Sequence, residues 1–199
     1  RVGNMVASII GAADGSVVMG DTLSIKVFQA VSSALKMRTD RRVILSDTGN
    51  FPSDLYMVEG LVKLLDQGYE LRTVAPEEVM QAIGDDVAVV MLTEVDYRTG
   101  RKHDMKTVTQ QAHAAGAVIV WDLAHSAGAL PVDMAGSNAE FAVGCTYKYL
   151  NGGPGAPGFI YVRPDLADIV QPALAGWLGH RQPFDFDLSY APGSGVERM

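Results

Sequence analysis

Ala117-Val118-Ile119-Val120-Trp121-Asp122 sets five consecutive apolar residues in front of a carboxylate. A membrane helix needs about 20 apolar residues, so this run is far too short to span a bilayer. Its lack of polar alternation marks a strand covered on both faces. Ala88-Val89-Val90-Met91-Leu92, inside a strand expected over Val87 to Thr93, reads the same way. Between the two lies a helical pattern, Met105 to Ala115, with Gly116 at its end. Further out, Arg42 to Asp47 reads as a strand and Ser53 to Leu65 as a helix closed by Gln67-Gly68. Tyr69 to Val74 is a strand, and Pro76 to Ile83 a helix opened by proline in its first turn. Phe141 to Thr146 and Phe159 to Val162 complete the expected strands. Buried strands alternating with helices imply right-handed crossovers and a mostly parallel central sheet flanked by helices. The fold class is α/β. No repeat, low-complexity segment or long linker divides the chain.

Composition narrows the function. The 199 residues carry 16 Lys and Arg against 23 Asp and Glu, a net charge of −7 that would repel a nucleic-acid backbone. Hydrophobic residues at 48% and charged ones at 20% exclude a disordered or fibrous chain. No nucleic-acid or membrane partner is expected. The single cysteine, Cys145, allows no internal disulfide and fits a reducing, cytoplasmic setting. The apolar stretch Met5 to Ala13 has only Arg1 upstream and runs straight into a globular pattern, which argues against a signal peptide. The opening Arg1-Val2-Gly3 and the close at Gly195 to Met199 lead us to expect both ends to be cut from a longer chain.

In an open α/β sheet, ligands collect beyond the carboxyl ends of the strands. Four segments there carry chemistry. Lys148 follows a buried strand and precedes the glycine-rich Asn151-Gly152-Gly153-Pro154-Gly155, where backbone can approach a ligand closely. A lysine held there can lose its proton and form an imine with a carbonyl; a surface lysine before a flexible loop is the plainer alternative. Asp122 ends an apolar run, an expensive place for a carboxylate unless a cation or several donors meet it. The protonated ring nitrogen of pyridoxal phosphate is such a cation, and His125, three residues on, could stack on the ring. The alternative is an Asp helix cap beside a core histidine. Asp21-Thr22-Leu23-Ser24 opens an amphipathic stretch to Leu35 and could cradle a phosphate or simply cap the helix. Asn50-Phe51-Pro52-Ser53-Asp54 could place Phe51 against a flat ring with Asp54 as an acceptor, or form a proline turn capped by Ser53.

Other chemistries lack support. His103, His113, His125 and His180 are scattered and offer no zinc spacing, so no metal is expected. There is neither a dinucleotide fingerprint nor a P-loop nor a serine elbow. Cys145, at a strand end, is expected to pack rather than attack.

Together, Phe51-Pro52-Ser53-Asp54, Tyr97-Arg98-Thr99-Gly100, Asp122 to Gly128 and Gly144 to Gly155 resemble the kynureninase family, pyridoxal-phosphate enzymes of the aspartate aminotransferase fold (fold type I). The resemblance covers essentially the whole chain and implies that residues 1–199 form the large cofactor domain of a family member about twice as long. It makes Lys148 the Schiff-base lysine and Asp122 the partner of the ring nitrogen. It puts Phe51, with Pro52 and Ser53, at the ring face, and Asp54, Thr93 and His125 at its edge. Leu23, Ser24 and Tyr147 would hold the phosphate. Trp177 would complete the pocket, from this subunit or its neighbour in a homodimer. Tyr147 would also donate a proton. Family members have an arginine for the substrate carboxylate in a C-terminal part, and no residue here matches it. The implied activity is hydrolysis of L-kynurenine, or 3-hydroxykynurenine, to the anthranilate and L-alanine in tryptophan catabolism. Another enzyme of the same fold (a cysteine desulfurase or a transaminase), an inactive fragment and a non-catalytic dimerising module are the competing readings.

Overall fold

Helix α1 (Val2–Ile9) leads into strand β1 (Val17–Met19), helix α2 (Leu23–Met37) and strand β2 (Val43–Asp47) in a computed structural model that describes residues 1–199. Helix α3 (Pro52–Leu65), β3 (Glu70–Val74), α4 (Val79–Ala82), β4 (Val87–Thr93), α5 (Met105–Ala115) and β5 (Val118–Asp122) follow. The short α6 (Met134–Ser137), β6 (Phe141–Cys145) and β7 (Gly158–Val162) complete the sheet, whose order is β1-β7-β6-β5-β4-β2-β3. From β6 through β3 the pairings are parallel; β7 runs antiparallel to both β6 and β1. The expected α/β class, with a mostly parallel sheet between helical layers, is the one observed.

Local chemistry sets the boundaries. Thr22 caps α2 by accepting the Ile25 N–H at 3.4 Å, and Asp104 caps α5 by accepting the Thr107 N–H at 3.1 Å. Pro52 opens α3, where its missing N–H costs nothing. Gly116 ends α5 at φ 76°, a conformation that favours glycine. The Pro76–Ile83 helix begins as a 3₁₀ turn, Pro76–Glu78, before becoming α-helical. Sequence periodicity missed α1, the three-residue β1 and the four-residue α6. The last two are too short to show a period, and α1 has no side-chain cap. Val6, Ala7 and Ile10, in the stretch weighed against a leader, pack in the core.

The sheet is covered on both faces by core clusters of equal size, 25 residues each, so every central strand is buried. Along β5, Ile119 and Trp121 face the layer of α1, α4 and α5, while Val118 and Val120 face α2. The same alternation continues to the strand ends and decides which chemical groups meet.

Candidate active site

Because side chains alternate along a strand, Asp122 continues the face of Val118 and Val120 and lies on the α2 side of the sheet. In-register pairing puts Thr93 at the end of β4 directly beside it. Asp122 is 1% exposed; its Oδ1 accepts the Ala124 N–H at 2.9 Å, while Oδ2 is buried with no partner. Asp54, in the first turn of α3, is fully buried and neither of its oxygens has a partner. Burial, then the charge of Asp122, drives the Asp54 carboxyl well above the usual range. Burial likewise pushes Asp122 up to about 6, against the pull of the Ala124 N–H and Lys148. Two desolvated carboxyls share one wall, and Lys148 is the cation whose charge reaches both.

Lys148 stands on the loop after β6. Its Nζ lies 2.8 Å from His125 Nε2, 5.4 Å from the Phe51 ring centre and 5.6 Å from that of Tyr147. Partial burial and the lysine charge lower the His125 pKa, which favours a neutral imidazole able to accept from the Lys148 amine. The glycine-rich turn folds back beneath the lysine: the Asn151 N–H reaches the Lys148 carbonyl at 3.0 Å and the Gly152 N–H reaches the Thr146 carbonyl at 2.8 Å. Gly128 lets the segment after β5 close on this loop. Its φ is +86°, and a Cβ there would fall 2.7 Å from the Tyr149 carbonyl oxygen.

Between these elements opens a cleft of about 230 Å³, lined by Thr22, Leu23, Ser24, Phe51, Ser53, Asp122, Ala124, His125, Tyr147 and Lys148. Larger hollows exist, one of about 680 Å³ beside Met19, Lys26 and Leu178, but the paired buried carboxyls do not border it. At one end of the cleft the first turn of α2 presents backbone N–H groups that no helical carbonyl can reach, next to the Thr22 and Ser24 hydroxyls. Tyr147 flanks the cleft, its phenol pKa raised chiefly by partial burial. Anion donors at one end, an unpaired carboxylate opposite and an amine over an aromatic face fit a flat phosphorylated cation such as pyridoxal phosphate.

The structure therefore brings Leu23, Ser24, Phe51, Ser53, Asp122, His125, Tyr147 and Lys148 to one cleft, with Asp54 and Thr93 packed behind its acidic wall. Pro52 acts through its position at the start of α3 rather than by lining the cleft. Trp177 does not reach the cleft within this chain. It is 56% exposed and packs between Phe184 and Phe186, 5.7 and 5.8 Å away, which hold its ring in the C-terminal segment. Tyr97 is an addition: its ring meets Phe51 edge-on at 5.0 Å and stacks on His125 at 6.2 Å. The Tyr97 to Gly100 motif pointed to the segment but not to this contact. Thr22 and Ala124 also line the cleft; Thr22 belongs to the segment expected either to cradle a phosphate or to cap the helix.

Residues 6–181 match the family model of aminotransferase class-V. The chain is 52% identical to a kynureninase from Pseudomonas fluorescens and 52% identical to one from Deinococcus radiodurans, in each case over all of this chain. It spans about half the length of these curated relatives, 49% and 48% respectively. Among solved structures, a cysteine desulfurase from Escherichia coli superposes with a TM-score of 0.82 at 19% identity, over 98% of this chain and 50% of that one. One from Thermococcus onnurineus gives 0.79 at 24%, over 98% and 49%. At such identities the two desulfurases share the fold alone.

Proposed function

The chain belongs to the aminotransferase class-V family, and on that premise we propose that residues 1–199 are the large cofactor domain of a kynureninase. The reaction is hydrolysis of the Cβ–Cγ bond of L-kynurenine, or of its 3-hydroxy form, to the anthranilate and L-alanine. What carries the reading is the buried, unpartnered Asp122 Oδ2 sharing a cleft with the Lys148 amine, in a chain about half identical to kynureninases. The aromatic wall and the open first turn of α2 support it.

When bound, pyridoxal phosphate supplies an electron sink for charge developing at the substrate carbons. Lys148 would hold its aldehyde end and Asp122 Oδ2 its ring N–H. Phe51 would cover a ring face and His125 would flank it, with Thr93 and Asp54 supporting Asp122 from behind. Leu23 and Ser24 of α2, with Tyr147, hold the phosphate. The neutral His125 Nε2, 2.8 Å from Nζ, would keep the Lys148 amine directed into the cleft, where Nζ would take the substrate's Cα proton. Water adding at the γ-carbonyl would let the Cβ–Cγ bond break with anthranilate leaving as its acid, and the Tyr147 hydroxyl would donate the proton that Cβ of the retained alanine unit takes up. The arginine for the substrate carboxylate is assigned to a part of the complete protein beyond residue 199.

A desulfurase reading lacks a nucleophile among these residues, since Cys145 is 1% exposed within β6 and burial raises its thiol pKa. The proposal includes a cytoplasmic homodimer. No helix is long and apolar enough to cross a membrane, and the C-terminal segment exposes Leu178, Phe184 and Phe186 at 70% or more, as an association surface would. Trp177 packs against Phe184 and Phe186, and in the proposed homodimer it would serve the neighbouring subunit.

The complete protein, given pyridoxal phosphate and reduced with borohydride, should carry the cofactor on Lys148, and Lys148→Ala should carry none. Kynurenine should yield fluorescent anthranilate and cysteine no sulfide. Label on another residue, or sulfide without anthranilate, overturns the proposal.

A further inference from the structure

On the sheet face opposite the cleft, a buried ionic cluster joins the two loops that carry the aromatic wall. Asp47 ends β2 at 1% exposure and, by strand alternation, lies on the α5 side. Its Oδ1 accepts the Gly49 N–H at 2.8 Å, and its Oδ2 sits 2.6 Å from His103 Nε2 and 3.3 Å from Arg101 Nη2. A carboxylate oxygen only accepts, so with the proton on Nε2 His103 donates to Asp47, and Arg101 Nη2, 2.9 Å from that same nitrogen, has the carboxylate as its acceptor. Nearby, Asp96 Oδ1 accepts the Arg98 N–H at 2.8 Å, while the Arg98 guanidinium reaches across to the Thr48 carbonyl at 2.7 Å. Gly49 is wedged between the two acids: a Cβ there would lie 3.1 Å from Asp96 Oδ2 and 3.2 Å from Asp47 Oδ1.

The 47–51 loop ends in Phe51 and the 94–103 loop carries Tyr97. Every polar link described joins one loop to the other or stiffens one of them. We infer that the Asp47–His103–Arg101 cluster, with the Arg98–Thr48 bridge, is a brace that positions the Phe51–Tyr97 ring pair, of which Phe51 lies 5.4 Å from Lys148 Nζ. Asp47 and His103 touch neither lysine nor cleft; they are positioning residues, and they rest on the cofactor reading above. A ring pair set by two independently anchored loops would otherwise drift by fractions of an ångström, which is enough to lose stacking contact.

The test uses the complete protein, with three readouts: the dissociation constant for pyridoxal phosphate, the visible circular dichroism per bound cofactor, and the melting temperature of the apo form. Asp47→Asn and His103→Ala should weaken cofactor binding about tenfold and shrink the dichroism, as loosened second-layer support does elsewhere. His103→Gln, whose amide can still donate to Asp47, should recover part of both. Arg98→Gln removes the Thr48 bridge together with the guanidinium's 3.7 Å approach to Asp96 and its 5.5 Å contact over the Tyr97 ring, all on the exposed side, so folding is spared; it should reduce the dichroism with little change in melting temperature. Variants that melt earlier yet hold the cofactor with parental affinity and dichroism overturn the brace. A parent that takes up no cofactor on Lys148 overturns the cofactor reading itself, which separates the two failures.

Discussion

Replacing Asp122 with asparagine should make the apo protein more stable while removing its chemistry. The carboxyl is buried and its pKa is raised from 3.8 to about 6, so at neutral pH the folded chain holds an ionised group that it has desolvated. The displacement corresponds to about 3 kcal/mol against the folded state at pH 7. The sign follows from proton binding: between about pH 4 and 6 the folded state holds the proton more tightly than the unfolded one, so this group lowers stability as pH rises through that window. Asparagine keeps an oxygen for the Ala124 N–H and offers its amide hydrogens to the unpartnered Asp54. We expect apo Asp122→Asn to be more stable by about 3 kcal/mol at pH 7 and by about half that at pH 5. In a chain of this size the pH 7 gain corresponds to roughly 6–12 °C in melting temperature. Urea denaturation of both apo forms at the two pH values measures it. Pyridoxal phosphate should then stabilise the parent and not the variant, whose turnover should be a small fraction of parental. A variant less stable than the parent at pH 7, with an unchanged gap at pH 5, refutes the claim that this carboxylate is held ionised at a cost.

His125 should give the opposite slope. Its pKa is lowered from 6.5, so the unfolded chain takes the proton first and stability falls as pH drops below 6.5; His125→Gln should flatten that part of the apo stability curve. Thr109→Val strands the buried Trp121 Nε1–H, now 3.1 Å from the Thr109 hydroxyl, and should cost about 1–3 kcal/mol in chemical denaturation without altering cofactor affinity. Gly128→Ala imposes a side chain at φ +86° against the Tyr149 carbonyl, so both melting temperature and the yield of borohydride-fixed cofactor on Lys148 should fall.

Much of this site could be read from the sequence because its residues sit where chain-local rules are strong. Asp122 and Lys148 each follow an uninterrupted apolar strand, and the turns around them are marked by glycine. Thr22 and Pro52 announce helix starts. What stayed hidden depends on long-range geometry. Nothing local to Asp54 says that it shares a dry wall with Asp122, because α3 and β5 are brought together only by packing. Tyr97 meets Phe51 and His125 across three separate loops. The partnership of Asp47 with His103 spans 56 residues and the end of a strand. The family resemblance puts Trp177 at the pocket from this subunit or its neighbour, and within this chain its aromatic neighbours Phe184 and Phe186 hold it away from the cleft. β1, at three residues, is defined by the hydrogen bonds it receives from β7 rather than by any pattern of its own.

The register of β5 against β4 works as a ruler for the whole site. Trp121 and Asp122 are neighbours in the chain, yet one seals the α5 layer and the other faces α2. Inserting or deleting one residue within the strand would exchange them, putting an indole where the acid belongs and a carboxylate into an oily interior. Loop length, by contrast, can drift: an extra residue near Leu130, which is 39% exposed, changes no such parity. Descendants of this chain should therefore vary in length at their exposed turns and keep the spacing inside β5 fixed to the residue.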